Sequence, residues 1–376
     1  MPSLPSHVGV LFGGPSPEHD VSVLTGLQAA RALSRVEGVT SSRALYWSKN
    51  GAFFLVDPLL EASAFASGPP QGAEALVLVV GPDGGFKIPR SGLRARLEQI
   101  ELDAVVVCCH GGPGEDGSLQ GALDLAGIAY SGPSAASAAL GMDKLASYAA
   151  VASAGLPALE RRLLHPEMKL DALAGPFIVK PRFGGSSIGI EVVADLATAR
   201  DRLGASVHFR RGAVIEPYRA DLFDLQIAVR TYPALELSAI ERPLRSSAAA
   251  EILGYGDKYV GGEGMAAAPR ELPAKIPAAL MSELRAVARE AAMLLGARGV
   301  ARIDFLSDGE SIYLNEINTI PGSLSRHLFV DPAVPFEALL EALFREAIER
   351  PSVQFSSAGA DGTVLRAAGS IAAKLA

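Results

Sequence analysis

The run Arg302-Ile303-Asp304-Phe305, followed by Asn315-Glu316-Ile317-Asn318-Thr319-Ile320-Pro321-Gly322, sets an Asp, a Glu and an Asn on two short apolar stretches. The turn Ser307-Asp308-Gly309-Glu310 separates them. Side chains alternate along a strand, so Arg302 and Asp304 share one face, and Glu316 and Asn318 share a face of the return strand. Two antiparallel strands can then bring three oxygen ligands to one place. Magnesium is held in this way, through one or two carboxylates together with substrate phosphates. In isolation such a hairpin would be a solvated surface turn, so the reading depends on what else the chain carries.

Ile178-Val179-Lys180-Pro181 leads into Gly184-Gly185-Ser186-Ser187-Ile188-Gly189, a strand ending in lysine before a glycine-serine loop. Glycines let backbone approach phosphate oxygens, the hydroxyls of Ser186 and Ser187 add donors, and Lys180 adds a point charge. A hairpin turn with a solvated lysine is the plain alternative. It is not a P-loop, because the lysine precedes the glycines. Glu216-Pro217-Tyr218, after the apolar Ala213–Ile215, offers a strand edge for a purine and an acid for ribose hydroxyls. The Gly-rich segment from Gly254 to about Pro269 has no periodicity of its own and reads as a lid carrying Lys258, either over phosphates or as a solvated loop lysine. Glu18, after the first strand, suits a substrate ammonium or a helix N-terminus. His110, after another strand, is either a general base or a histidine tying two loops together.

These groups need elements to position them. Strand-like Val8–Phe12, Leu76–Val80 and Leu102–Cys109 alternate with helical Val21–Leu33 and Leu119–Ala126, which predicts a parallel sheet flanked by helices. A second unit opens near Ser134 with a helix over Ala135–Ser153 and includes strand Phe177–Lys180. A third runs from strand Val214–Glu216 through helix Ala278–Leu295, the carboxylate hairpin and helix Phe336–Glu349. The expected division is 1–133 for an N-terminal α/β domain, 134–213 for a central domain, 214–350 for a C-terminal domain, and 351–376 for a poorly ordered tail.

At 376 residues, 49% hydrophobic and 20% charged, the chain has the composition of a soluble globular enzyme of two or three domains. A formal net charge of −7 leaves no footprint for nucleic acid. No apolar run reaches the length of a membrane span, and no basic segment precedes an apolar one at the N-terminus. The only cysteines, Cys108 and Cys109, are adjacent in a strand and face opposite ways, so two buried thiols are expected, in keeping with a reducing cytoplasm.

Taken in order, Phe12–His19, His110–Gly121, Met142-Asp143-Lys144, Ile178–Gly189, Glu216, Asp257-Lys258-Tyr259, Arg302–Asp304 and Glu316–Gly322 resemble the D-alanine–D-alanine ligases of the ATP-grasp superfamily. The correspondence spans residues 8–349. It implies a three-domain α/β ATP-grasp fold with an N-terminal parallel-sheet, Rossmann-like domain. ATP would lie between the central and C-terminal domains, with Lys144, Lys180, Ser187 and Lys258 at its phosphates, Glu216 and Tyr218 at the adenine, and Asp224 as the ribose acid. Asp304, Glu316 and Asn318 would hold two Mg²⁺ ions, replaceable by Mn²⁺. Glu18 would hold the first substrate's ammonium and join Ser186 and Tyr259 in a network closing the site. Arg302 and the N–H of Gly322 would stabilise a tetrahedral oxyanion, and His110 would line the substrate pocket. The resemblance also implies a cytoplasmic enzyme acting on small amino acids, usually a homodimer, with no nucleic-acid or membrane partner.

Three departures bear on specificity. The family follows Pro-Gly with Met-Thr-x-His-Ser-Leu, whose serine holds the second D-alanine's carboxylate; here Ser323-Leu324-Ser325-Arg326-His327-Leu328 follows Pro321-Gly322, with His327 in the serine's place, and the resemblance puts Ser325, His327 and Leu328 at the substrate. A lost hydrogen bond to a charged group costs roughly 1.5–3 kcal/mol unless His327, Arg326 or Ser325 replaces it. Pro217 stands where the family has a lysine, and the family's ribose glutamate is replaced by Asp221-Leu222-Phe223-Asp224. The rival reading in the same class is a ligase joining another amino acid or hydroxy acid, in a resistance or natural-product (mycosporine-type) pathway. A dinucleotide oxidoreductase lacks its G-x-G-x-x-G. A nucleotide sensor would not need to keep Arg302, Asp304, Glu316 and Asn318.

Overall fold

A computed structural model describes residues 6–92, 95–168, 175–244, 269–353 and 355–374. Tyr259 and Lys258, with the expected lid from 254 as far as 268, lie outside the described residues.

β1 (His7–Gly13) is buried at all but its first residue, as a central strand covered on both faces should be. It pairs in parallel with β2 (Ser41–Trp47) and β7 (Ala104–Val107), and helix α1 (His19–Leu33) makes the crossover from β1 to β2. β3 (Phe53–Val56), β4 (Glu74–Val79), β5 (Gly85–Arg90) and β6 (Arg96–Gln99) extend the sheet in the order β6-β5-β4-β3-β2-β1-β7. These pairings, from β2 outward, are antiparallel. The expected parallel sheet is therefore confined to β7-β1-β2. A parallel return needs a crossover of a dozen or more residues, usually an α-helix, and none of the connections from β2 to β6 contains one among the described residues.

A second sheet joins β8 (Arg162–Leu164), β9 (Phe177–Pro181), β10 (Glu191–Val193) and β11 (Ala213–Pro217) in the order β10-β9-β11-β8. β11 pairs residue for residue with β9, so the boundary expected between 213 and 214 would cut a hydrogen-bonded strand. The division between sheets falls after β11 instead. The third sheet has the order β14-β13-β12-β15-β16, from β12 (Phe223–Arg230), β13 (Glu236–Pro243), β14 (Arg270–Glu271), β15 (Val300–Ser307) and β16 (Ile312–Asn318). Helix Ala278–Leu294 packs on it through Leu284, Ala288 and Ala291, against Ile303 and Phe305.

Beyond β16 the chain returns to the first sheet. Ile320, Leu324, Leu328 and, from helix Phe336–Glu349, Leu339, Leu340, Leu343 and Phe344 join the core formed by β1, β2 and β7. Each such side chain contributes about 1.5–3 kcal/mol on burial. The strap Thr319–Leu328 is thereby anchored under the N-terminal sheet. Cys108 and Cys109 are buried free thiols in the same core. The tail carries two short helices, Thr363–Ala367 and Ile371–Lys374, with Val364, Leu365 and Ile371 exposed.

After α2 (Ser118–Leu125), the single helix expected over 135–153 is two, α3 (Ala135–Met142) and α4 (Lys144–Ser153). Asp143 leaves the helical region to cap α4, accepting from the N–H groups of Leu145 and Ala146 at 3.0 and 3.2 Å. Arg182 holds the same carboxylate, through Nε at 2.8 Å. The break sets Lys144 at the first position of α4, beside the glycine-serine loop.

Candidate active site between the second and third sheets and the N-terminal loops

The register of the third sheet builds the centre of the site. Gln226 stands opposite both Glu241 and Asp304, and Asp304 stands opposite Glu316. Directly opposed residues share a face with Cβ atoms ~5 Å apart, so Glu241, Gln226, Asp304 and Glu316 form one polar row. Arg302, one pleat along, donates to Asp304 Oδ1 at 2.7 Å and Oδ2 at 2.8 Å, and Asn318 Nδ2 donates to Oδ2 at 3.0 Å. Lys144 Nζ lies 3.2 Å from Glu316 Oε2. Two carboxylates and an amide, facing a wall of lysines, fit Mg²⁺ carrying phosphate, since that ion prefers hard oxygens and few protein ligands.

A bulge between Asp304 and Phe305 gives β16 one extra residue, Asn315. The bulge breaks strict alternation, so Asn315 and Glu316 both reach the cleft. Asn315 Oδ1 accepts from Lys180 Nζ at 3.1 Å, and its carbonyl accepts from Arg161 at 3.0 Å. Glu216, 2% exposed, accepts from Arg161 Nε at 2.7 Å and Lys180 Nζ at 2.9 Å. Burial alone would push its pKa up, but the two cations hold it below the ordinary carboxylate range. The Glu216 carboxylate thus orients Lys180, which departs from its expected place as an adenine or ribose acid. Lys144 Nζ also donates to the Gly184 carbonyl, at 2.5 Å.

Of these groups, Lys144, Lys180, Glu216, Gln226, Asp304, Asn315 and Glu316 line a cleft of about 950 Å³, counted with the solvent at its mouth, together with Ser187, Tyr218 and Asp224. A second cavity, of about 600 Å³, is lined by Glu18, His110, Glu115, Ser186, Arg302 and Gly322, among others. Lys144, Gly184, Gly185 and Glu316 line both. The two spaces therefore meet where the lysine, the glycine loop and the carboxylate pair converge.

In the second cavity Ser186 donates to Glu18, across the junction of the N-terminal loop and the central loop. Gly111 has φ +66°, and a Cβ there would overlap Glu18 Oε2, so only glycine leaves room for that carboxylate. Ser186 and Ser187 also sit in the left-handed region, at φ 53° and 59°, a strain typical of functional loops. His110 is fully enclosed: Nδ1 faces the Ile320 carbonyl at 2.7 Å and Nε2 faces Thr25 Oγ1 at 2.8 Å. Desolvation lowers its pKa to about 4, so the ring is neutral near pH 7. With both nitrogens engaged, His110 ties loops together and is not a base.

The strap shows two characters. Ser323, Leu324 and Ser325 make a left-handed turn, with φ of 48°, 50° and 47°. Leu328 is fully buried in the apolar core, so its side chain does not reach the substrate cavity as expected. Ser325 Oγ is buried without a hydrogen-bond partner. His327 Nε2 meets Glu241 Oε2 at 3.1 Å, while its Nδ1 is buried without a partner. Glu241 Oε1 also holds Arg270 at 3.1 Å. Burial would raise the Glu241 pKa, but His327 and Arg270 bring it below the ordinary range.

Sequence reasoning missed Arg161, Asn315, Glu241, Thr25 and Glu115. Arg161 and Glu241 sit in ordinary charged runs. Asn315 would have been placed on the wrong face by alternation. Glu115 alone had a signal, in its glycine-rich loop after a strand.

The chain matches family profiles described as D-ala D-ala ligase N-terminus over residues 7–133 and D-ala D-ala ligase C-terminus over 140–344. It is similar to the D-alanine–D-alanine ligase of Campylobacter lari, with 31% identity over 86% of this chain and 89% of that one. Similarity to the ligase of a Methylobacterium species is 31% over 92% of each chain. Among solved structures, the D-alanine–D-alanine ligase of Helicobacter pylori superposes with TM-score 0.69 at 27% identity, covering 93% of this chain and 99% of that one. The D-alanyl-alanine synthetase A of Vibrio cholerae shares the fold, with TM-score 0.74 at 19% identity over 93% and 100% of the two chains. Sequence, three-sheet architecture and the converging clefts agree, and the chain belongs to the D-alanine–D-alanine ligase family of ATP-dependent ligases.

Proposed function

We propose that this protein condenses two molecules of D-alanine, with Mg²⁺-ATP as co-substrate, to supply a peptidoglycan precursor. The observation that carries the reading is the meeting of the two spaces at Lys144, Gly184, Gly185 and Glu316. A phosphate in one and a carboxylate in the other come together there. ATP lies along the larger cleft with its phosphates toward Lys144, Lys180 and Ser187, its ribose toward Asp224 and its base toward Tyr218. Asp304, Glu316 and Asn318 would hold two Mg²⁺ ions, whose charge would offset that of the phosphates.

Glu18 holds the ammonium of the first D-alanine. The carboxylate oxygen of that D-alanine bonds to the γ-phosphorus as the bond to the β–γ bridging oxygen breaks, giving an acylphosphate and ADP. The amine of the second D-alanine then attacks the acyl carbon, loses a proton, and inorganic phosphate leaves. Arg302 and the Gly322 N–H stabilise the oxyanion, and such a donor is worth ~3 kcal/mol, about a hundredfold in rate. His327, held by Glu241, takes the place of the family serine toward the second carboxylate. A cytoplasmic homodimer accompanies this reading on family resemblance alone.

The test is ATP-dependent phosphate release with a panel of D- and L-amino acids and D-hydroxy acids, products identified by mass. D-Alanyl-D-alanine from D-alanine alone is the expected result. An inert D-alanine beside another acceptor that turns over would overturn the cell-wall assignment.

A further inference from the structure

The strap that carries Gly322 is fastened by three side chains from the N-terminal unit. Glu115, 8% exposed, accepts from the Ile320 N–H at 2.9 Å and from Thr319 Oγ1 at 3.3 Å through Oε1, and from the Gly111 N–H at 3.0 Å through Oε2. His110 Nδ1, facing a carbonyl, must carry the proton it donates to Ile320 at 2.7 Å. Its Nε2 then accepts from Thr25, whose Oγ1 accepts from the Ser323 N–H at 3.0 Å. Both polar groups of the Ile320 peptide unit's residue, and the N–H of Ser323, are thus fixed from outside. Pro321 between them has no N–H and a fixed φ. Gly322 is left bracketed on both sides, lining the substrate cavity.

We propose that Glu115 is a positioning residue for the second half of the reaction, aiming the Gly322 N–H at the acyl oxygen when the amine attacks. This rests on the ligase reading above. Glu115 also lines the cavity and braces Gly111 beside Glu18, but its contact with the strap is what reaches the oxyanion donor, whereas phosphoryl transfer depends on Lys144, Lys180 and the carboxylate pair. The two half-reactions must therefore respond differently. Glu115→Gln keeps an acceptor for Ile320 but turns an amide N–H toward the N–H of Gly111, where two donors repel. The charged groups lining the same cavity are Glu18, Lys144, Arg302 and Glu316, with His110 beside them.

The experiment compares wild type, Glu115→Gln and Thr25→Val by dipeptide formed and phosphate released per unit time, at saturating ATP and D-alanine. The expected result for Glu115→Gln is a fall of about tenfold or more in dipeptide kcat, the size of a lost charge-assisted hydrogen bond. Phosphate release falls less, so phosphate per dipeptide rises above one, and KM for ATP is unchanged. Thr25→Val, which loosens the strap at Ser323 without touching Glu115, shows the same split and serves if Glu115→Gln does not fold; Thr25→Ser restores wild-type behaviour. Equal losses of phosphate and dipeptide, or unchanged dipeptide kcat, in both variants would overturn the proposal. A wild type without ligase activity would sink the underlying reading instead.

Discussion

The two ends of one strap follow different rules. From Thr319 to Ser323 the backbone is held by Glu115, His110 and Thr25, and each hydrogen-bonding partner is itself satisfied. From Ser325 to Leu328 the chain carries Arg326 and His327 where the resemblance expects His and Ser, and two buried polar atoms, Ser325 Oγ and His327 Nδ1, have no partner. Unpaired buried polar groups cost about 1–3 kcal/mol each, so sites carrying them need a functional explanation. In the proposed reaction the first end carries the oxyanion donor Gly322, and the second end carries His327 toward the second substrate.

The contrast can be broken most sharply at the fastened end. Arg302→Leu removes the guanidinium beside Asp304, and kcat should fall by ~10²–10³ while calorimetric ATP binding persists. A loss under tenfold would mean that the oxyanion forms elsewhere. Gly111→Ala drives a methyl into the Glu18 carboxylate. An expected loss of ten- to hundredfold in kcat/KM for the first substrate, about 1.5–3 kcal/mol, would register in initial rates.

At the departing end, His327→Ser restores the family residue and should change KM for the second substrate by about tenfold, with KM for the first unchanged. Equal shifts in both would place His327 outside the second subsite.

Titration sharpens the comparison further. Burial, with help from Glu18, raises the Glu115 pKa from 4.5 to about 7. The native state then binds the extra proton between those values, so this group's contribution is full below pH 4.5 and is lost as pH rises through 7. Relative to wild type, Glu115→Gln should therefore lose stability as pH falls from 7 to 4.5, in denaturant midpoints measured side by side. A difference that stays flat over that window would contradict the burial argument. The smallest effect belongs to Ser325→Gly, which relieves a left-handed backbone and an unpaired hydroxyl together. It should raise stability by about 1 kcal/mol, read as a higher Tm.

Much of this was legible in the sequence, for stated reasons. Asp304, Glu316 and Asn318 could be placed on one face because strand alternation has a fixed period, and the helix at Phe336–Glu349 could be bounded by its apolar spacing. The glycine-serine loop and Lys180 declared themselves by composition. What escaped depends on long-range partners. Glu216 reads from its strand alone as a nucleotide acid, whereas its carboxylate in the cleft is held by Arg161, 55 residues earlier. Asp143 breaks a continuous helical pattern as an N-cap, a local preference of Asp that the distant Arg182 reinforces. Asn315 was hidden by a bulge, which reverses alternation for one residue.

In the proposed reaction phosphate passes to a bound carboxylate where the two spaces meet, and positional isotope exchange with ¹⁸O in the β–γ bridge of ATP reads that step. Scrambling of the label into the β-phosphate when D-alanine is present, and none without it, is the expected result. Dipeptide formation with no scrambling, under conditions where ADP stays bound long enough to rotate, would contradict the acylphosphate route.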